Sequence, residues 1–168
     1  MPVSQRGKPS IYKWLLLSLL VISIAAGAFL FQGGHPHVFY LSVYKDQSGE
    51  LLYQREVEIC EKVVLNYIHS ADATPVSAVF EIRDGGLHLV EERYSWYGAG
   101  LESGAGLQFS FQGDEVIVSG YERTFPELPI RVARTVPQEL VFIDKNEFIS
   151  LQQLAPGGTL LIVRVDKY

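Results

Sequence analysis

Cysteine is almost absent from this sequence. The 168 residues contain one, Cys60, so no intramolecular disulfide can form. A chain of this length can bury a core without one. With no activating base beside it, Cys60 reads as a small buried hydrophobe and not as a nucleophile. Positive charge is also scarce: 14 Lys and Arg face 19 Asp and Glu, a net charge of −5. Three of the basic residues, Arg6, Lys8 and Lys13, precede the first long apolar stretch. Beyond it stand 11 basic and 19 acidic residues, a balance of −8. Such a domain does not suit a phosphate backbone, so no nucleic-acid partner is expected. Catalytic signatures are missing as well. There is no Gly-x-Ser-x-Gly elbow, no Gly-Lys-Ser/Thr phosphate loop and no fixed-period repeat.

One long uncharged run is present. Residues 14–31, WLLLSLLVISIAAGAFLF, hold no charge and no proline. That length is near the lower limit for a membrane-spanning helix. The basic residues all lie before it, so residues 1–13 are expected in the cytoplasm and the remainder outside. Ala26-Gly27-Ala28 would also fit a signal-peptide cleavage site, but Phe29-Leu30-Phe31 continues the apolar run and favours an uncleaved anchor. Residues 32–37 form a linker. His35 and His37 supply two potential ligands there, fewer than a tetrahedral metal site needs.

Residues 38–168 then alternate short apolar runs with turn residues. Val76, Ala78, Phe80 and Ile82 make one apolar face, broken by Val79. Asp84-Gly85-Gly86 is a hairpin signal, and Leu161, Val163 and Val165 give the last run an inward face. Leu151 to Leu154 suggests one helical turn. The expected fold is an all-β domain, an antiparallel β-sandwich or barrel of about ten short strands, behind one N-terminal transmembrane helix.

Three stretches hold reactive-looking side chains. In YIHSADATPV, His69 and Ser70 are adjacent. Neighbours on a strand face opposite ways, so if the strand continues that far His69 is poorly placed to activate Ser70. Pro75 and the polar Ser70, Asp72 and Thr74 fit a self-bonded connection between strands. In YSWYGAGL, Gly98-Ala99-Gly100 permits close backbone approach beside Trp96 and Tyr97. In YERTFPELPIRVART, Arg123, Arg131 and Arg134 can fork onto a carboxylate, or pair with Glu81, Glu91, Glu92, Glu122 or Glu127. Glu91 and Glu92, as strand neighbours, face opposite ways and make a poor acid pair.

Taken together, NYIHSADATPVSAVFEI, YSWYGAGLESG and RTFPELPIRVART resemble a bacterial and archaeal family of small exported domains of unknown function. That family is typically encoded beside TAXI-type tripartite ATP-independent periplasmic (TRAP) transporters. The resemblance spans roughly 38–165 and rests on a Tyr-x-His-Ser segment with Thr-Pro, a Gly-Ala-Gly-Leu loop and an Arg-x-Phe-Pro-Glu-Leu segment. It implies a single-pass protein of the cytoplasmic membrane, held through residues 14–31, whose outer domain assists a TAXI-type TRAP transporter. The implied partner is the permease or the TAXI solute-binding protein. The contact surface expected is Tyr67, His69, Ser70, Thr74, Tyr97, Gly98, Gly100, Arg123 and Arg134. No catalytic residue, metal or cofactor is expected. The alternative is a small-anion or carboxylate-binding module in which Arg123, Arg131 or Arg134 works near His69. An exported hydrolase using Ser70 is the third reading.

Overall fold

The computed structural model describes residues 37–70, 73–95, 104 and 106–168. The apolar segment 14–31 therefore lies outside the described residues. Among the described residues no helix is long and apolar enough to cross a membrane.

The described chain is nearly all antiparallel β, with eleven strands in two sheets. They are β1 (Phe39–Lys45), β2 (Glu50–Val57), β3 (Lys62–Ile68), β4 (Pro75–Arg83), β5 (Gly86–Tyr94), β6 (Gln108–Gln112), β7 (Glu115–Phe125), β8 (Glu127–Arg131), β9 (Glu139–Phe142), β10 (Glu147–Ser150) and β11 (Leu160–Lys167). One four-residue helix, α1 (Leu151–Leu154), sits where a helical turn is expected. The smaller sheet runs β2-β1-β11-β8, and the larger β10-β9-β3-β4-β5-β7-β6. The last strand returns beside the first: Phe39 stands opposite Lys167, and Val38 and Tyr168 exchange both backbone hydrogen bonds.

Period-two alternation creates the core. Leu41 and Val43 of β1, Val76, Ala78, Phe80 and Ile82 of β4, and Leu161 and Val163 of β11 are all buried. Each Val, Leu, Ile or Phe among them stabilises the fold by about 1.5–3 kcal/mol on full burial. The break at Val79 has a structural counterpart, because the β4–β5 register shifts between Val79 and Phe80. Val79 faces away from the core and is still buried. It lies beside Val64, which in turn lies opposite Val141.

The two sheets are joined through a proline. β7 pairs with β5 in the larger sheet, whereas β8 pairs with β11 in the smaller one. Pro126 separates them. Having no N–H to donate, it ends one ladder and lets the chain cross to the other. At the far end of β5, Gly86 adopts φ 138°, and an added methyl there would come within 2.8 Å of the Phe125 carbonyl carbon. At Gly86 the hairpin thus packs against this crossover with no room for a side chain.

Cys60 corrects one expectation. It is exposed, not buried. It occupies a turn between β2 and β3 at φ 70°, and its N–H donates to the Ile82 carbonyl at 2.9 Å. The turn uses the backbone of Cys60 and leaves its side chain outside.

Candidate functional site

YIHSADATPV folds as the end of β3, a tight hairpin and the start of β4. The His69 N–H donates to the Thr74 carbonyl at 2.8 Å, and the Ala73 N–H to the His69 carbonyl at 3.0 Å. Ala73 takes a left-handed conformation, φ 56°. These two bonds tie His69 to Ala73 and Thr74 and make Thr74-Pro75 the entry to β4. Tyr67 stands opposite Val76, which stands opposite Tyr94. Tyr67 also lines a cavity of about 320 Å³ with Asn66, Pro75, Ser77, Pro137 and Glu139.

The expected surface divides into separate regions. Tyr67, His69, Ser70 and Thr74 lie at one end of the larger sheet. Arg134 is three residues before Pro137, which lines the same cavity as Tyr67, but Arg134 itself lines a separate cavity. Arg123 stands opposite Leu89 on β5, seven residues along β7 from Val116, the residue level with Tyr94. At about 3.3 Å per residue, this puts Arg123 roughly 20 Å from the hairpin. Its guanidinium lies over the Phe125 ring at 4.5 Å. Tyr97, Gly98 and Gly100 lie outside the described residues.

The salt-bridge alternative for the arginines fails at Arg131 and Arg134. Glu81 pairs with Arg83, Glu91 with Arg93 and Glu127 with Arg164. Glu92 is engaged by two tyrosines instead: its Oε2 accepts from Tyr94 at 2.7 Å and from Tyr121 at 2.8 Å. Burial first, and then the Glu92 hydrogen bond and charge, push the Tyr94 phenol well above its usual range. The two neighbouring glutamates do face opposite ways. Glu91 works on the outer face and Glu92 on the inner one.

Among the described residues, neither Lys45, Arg131 nor Arg134 forms an ion pair. These three line one cavity of about 490 Å³ together with Asp46, Gln47, Gly157, Gly158, Thr159 and Leu160. Arg131 donates to the Gly158 carbonyl at 2.9 Å. Arg134 packs over the two glycines: a methyl at Gly157 would be 2.7 Å from its Cα, and one at Gly158 would be 3.3 Å from its Nη2. The loop that carries Arg134 is pinned by two glutamines. Gln138 accepts from the Ala133 N–H at 2.6 Å and donates to the Arg131 carbonyl at 3.3 Å. Gln152 of α1 donates to the carbonyls of Val136 at 2.7 Å and Ala133 at 3.4 Å, and accepts from the Gln138 N–H at 3.2 Å.

Sequence reasoning picked out the two arginines here and missed Lys45 and the glycine pair. Pro156-Gly157-Gly158 reads as an ordinary turn signal, and nothing local links it to Arg134. It also missed a second polar cluster. Arg55 donates to Glu61 Oε1 at 2.7 Å and to Glu147 Oε2 at 3.1 Å, with its guanidinium 4.0 Å over the Phe142 ring. Burial lowers the Arg55 pKa, but the hydrogen bond and charge of Glu61, with Glu147, outweigh it and hold Arg55 above its usual value. The one available signal was Arg55 breaking an apolar parity on β2. Among the described residues no three His, Cys, Asp or Glu side chains gather as a metal site.

A family model described as a domain of unknown function, DUF1850, matches residues 63–149. That span runs from β3 into β10 and contains both the hairpin and Arg134. No curated protein and no solved structure matches the chain.

Proposed function

The chain belongs to the DUF1850 family, and we propose that it serves as a membrane-anchored extracytoplasmic accessory domain of a TAXI-type TRAP transporter. Residues 14–31 hold it to the cytoplasmic membrane with the N-terminus inside, and the β-domain works outside. Its partner is the permease or the TAXI solute-binding protein. One observation supports this reading: Tyr67 of the first motif stretch lines one cavity with Pro137, three residues beyond Arg134. The hairpin is closed by its own backbone and the Arg134 loop is tied down by Gln138 and Gln152. A preformed polar surface of this kind loses little conformational freedom on docking.

Site-specific photocrosslinkers test it. Placed at Ser70 and Thr135, they should capture the permease or the solute-binding protein in membranes. Placed at Asp84, on the opposite end of the larger sheet, the same crosslinker should not. Equal capture from both ends, or no capture together with unchanged uptake in a deletion strain, refutes the proposal.

A second reading, a small-anion-binding module, is favoured by the pair of arginines that line a cavity without a carboxylate partner. It no longer includes Arg123, which lies at the other end of β7.

A further inference from the structure

We infer that the cavity between β1, β8 and the Gly157–Gly158 turn is a binding site for a small dianion, one carrying two carboxylates or a single phosphate group. The inference rests on the anion-binding reading and gives it a site and a ligand class.

Charge makes the first argument. Seven arginines lie in the described domain. Arg55, Arg83, Arg93 and Arg164 are in ion pairs, and Arg123 stacks on Phe125. The two that remain, Arg131 and Arg134, are the two that line this cavity. Lys45 adds a third cation, and Asp46 is the one acidic residue in the lining. The balance is therefore two positive charges, concentrated in a concavity on a domain whose total is −8. An anion brought there replaces a like-charge repulsion with attraction. A dianion matches the balance, whereas a monoanion leaves one positive charge uncompensated.

Geometry makes the second. Arg131 spends one guanidinium N–H on the Gly158 carbonyl, which fixes its plane and leaves the other donors available. Arg134 is held against Gly157 and Gly158, where any side chain would crowd it. The turn itself is locked: the Gly158 N–H donates to the Val132 carbonyl at 2.7 Å, and the Val132 N–H to the Thr159 carbonyl at 2.9 Å. Lys45 is anchored at the end of β1, with the next N–H, that of Asp46, donating to the Leu160 carbonyl at 3.1 Å. Three cations from three segments are thus fixed on rigid backbone before any ligand arrives. Forked donors in such an arrangement suit carboxylate and phosphate oxygens.

Isothermal titration of the full chain in detergent micelles tests the site, with malonate and inorganic phosphate as dianions. Acetate serves as the monoanion, and malonamide as the neutral isostere of malonate. Malonate or phosphate should bind and the other compete or not, which separates the dicarboxylate from the phosphate source. Acetate should bind at least tenfold more weakly, and malonamide should give no heat. Arg134→Met should weaken binding at least tenfold and Lys45→Met several-fold, while Lys62→Met, which removes a charge elsewhere, should leave it unchanged. A thermal melt of each variant, within a few degrees of the parent, shows that the fold persists. Arg134→Lys keeps the charge without the fork and should fall between. Acetate binding as tightly as malonate, still dependent on Arg134, overturns the dianion assignment and leaves the anion-binding reading standing. No binding by any anion, or binding indifferent to Arg134 and Lys45, overturns both.

Discussion

Replacing Arg55 with methionine removes the cation from a carboxylate that has almost no access to water. The Glu61 side chain is 4 % exposed and that of Arg55 13 %. After the substitution, Glu61 keeps one hydrogen bond, accepted at Oε2 from the Glu58 N–H at 3.1 Å, and loses the 2.7 Å contact at Oε1. Breaking a buried pair on one side costs about 3–5 kcal/mol, because the remaining charge is left uncompensated. The second arm contributes little. Glu147 is 60 % exposed, and an ion pair in that setting is worth about 0–1 kcal/mol. Methionine replaces part of the contact over Phe142. The expected loss is therefore about 3–4 kcal/mol, a large share of a total stability of about 5–15 kcal/mol. For a domain of this size it lowers Tm by about 10 °C. Urea denaturation of the full chain in micelles, followed by circular dichroism, measures it. The decisive comparison is the double variant Arg55→Met with Glu61→Leu. An apolar pair of similar volume avoids both the desolvation and the orphaned charge, so it should recover to within about 1 kcal/mol of the parent. If Arg55→Met alone lies within that margin, or the double variant is no better than the single one, the cluster does not work as argued.

Three further expectations follow from other parts of the molecule. Gly86→Ala should destabilise by about 2–4 kcal/mol, since the methyl meets the Phe125 carbonyl group at a positive φ; Asp84→Ala, in the same turn, should be nearly silent in the same melts. Gln152→Ala removes the ties to Ala133, Val136 and Gln138 and should cost about 1–3 kcal/mol, with faster amide exchange confined to residues 133–138. Tyr94 retains its proton in the folded state at pH values where the unfolded chain releases it. Its contribution is therefore complete below about pH 10 and declines above it, by up to about 1.4 kcal/mol per pH unit. Denaturation curves between about pH 10 and pH 11 should show a steeper decline for the parent than for Tyr94→Phe; equal slopes would contradict the burial and Glu92 contact that hold the Tyr94 proton.

Local pattern alone determined the class of this domain. The alternation over Val76–Ile82 and Leu161–Val165, the glycine turn at 85–86 and the helical turn at 151–154 are all legible, because a strand's face is set by a one-residue step along the chain. The same rule separated Glu91 from Glu92, but it does not reach His69 and Ser70, which lie beyond the end of β3 at Ile68. What alternation does not encode is which strand lies beside which. Only the tertiary structure decided that Pro126 carries the chain from one sheet to the other, that Arg123 lies far from the hairpin, and that Glu81, Glu91 and Glu127 are taken by Arg83, Arg93 and Arg164. It half-buried Arg55 against Glu61 and left Cys60 outside. It also brought Lys45, near the start of the domain, to Arg134 and Gly157, near its end. Those outcomes depend on strand order and on contacts between residues distant in sequence, where each charge's partner is chosen by the fold and not by its neighbours in the chain.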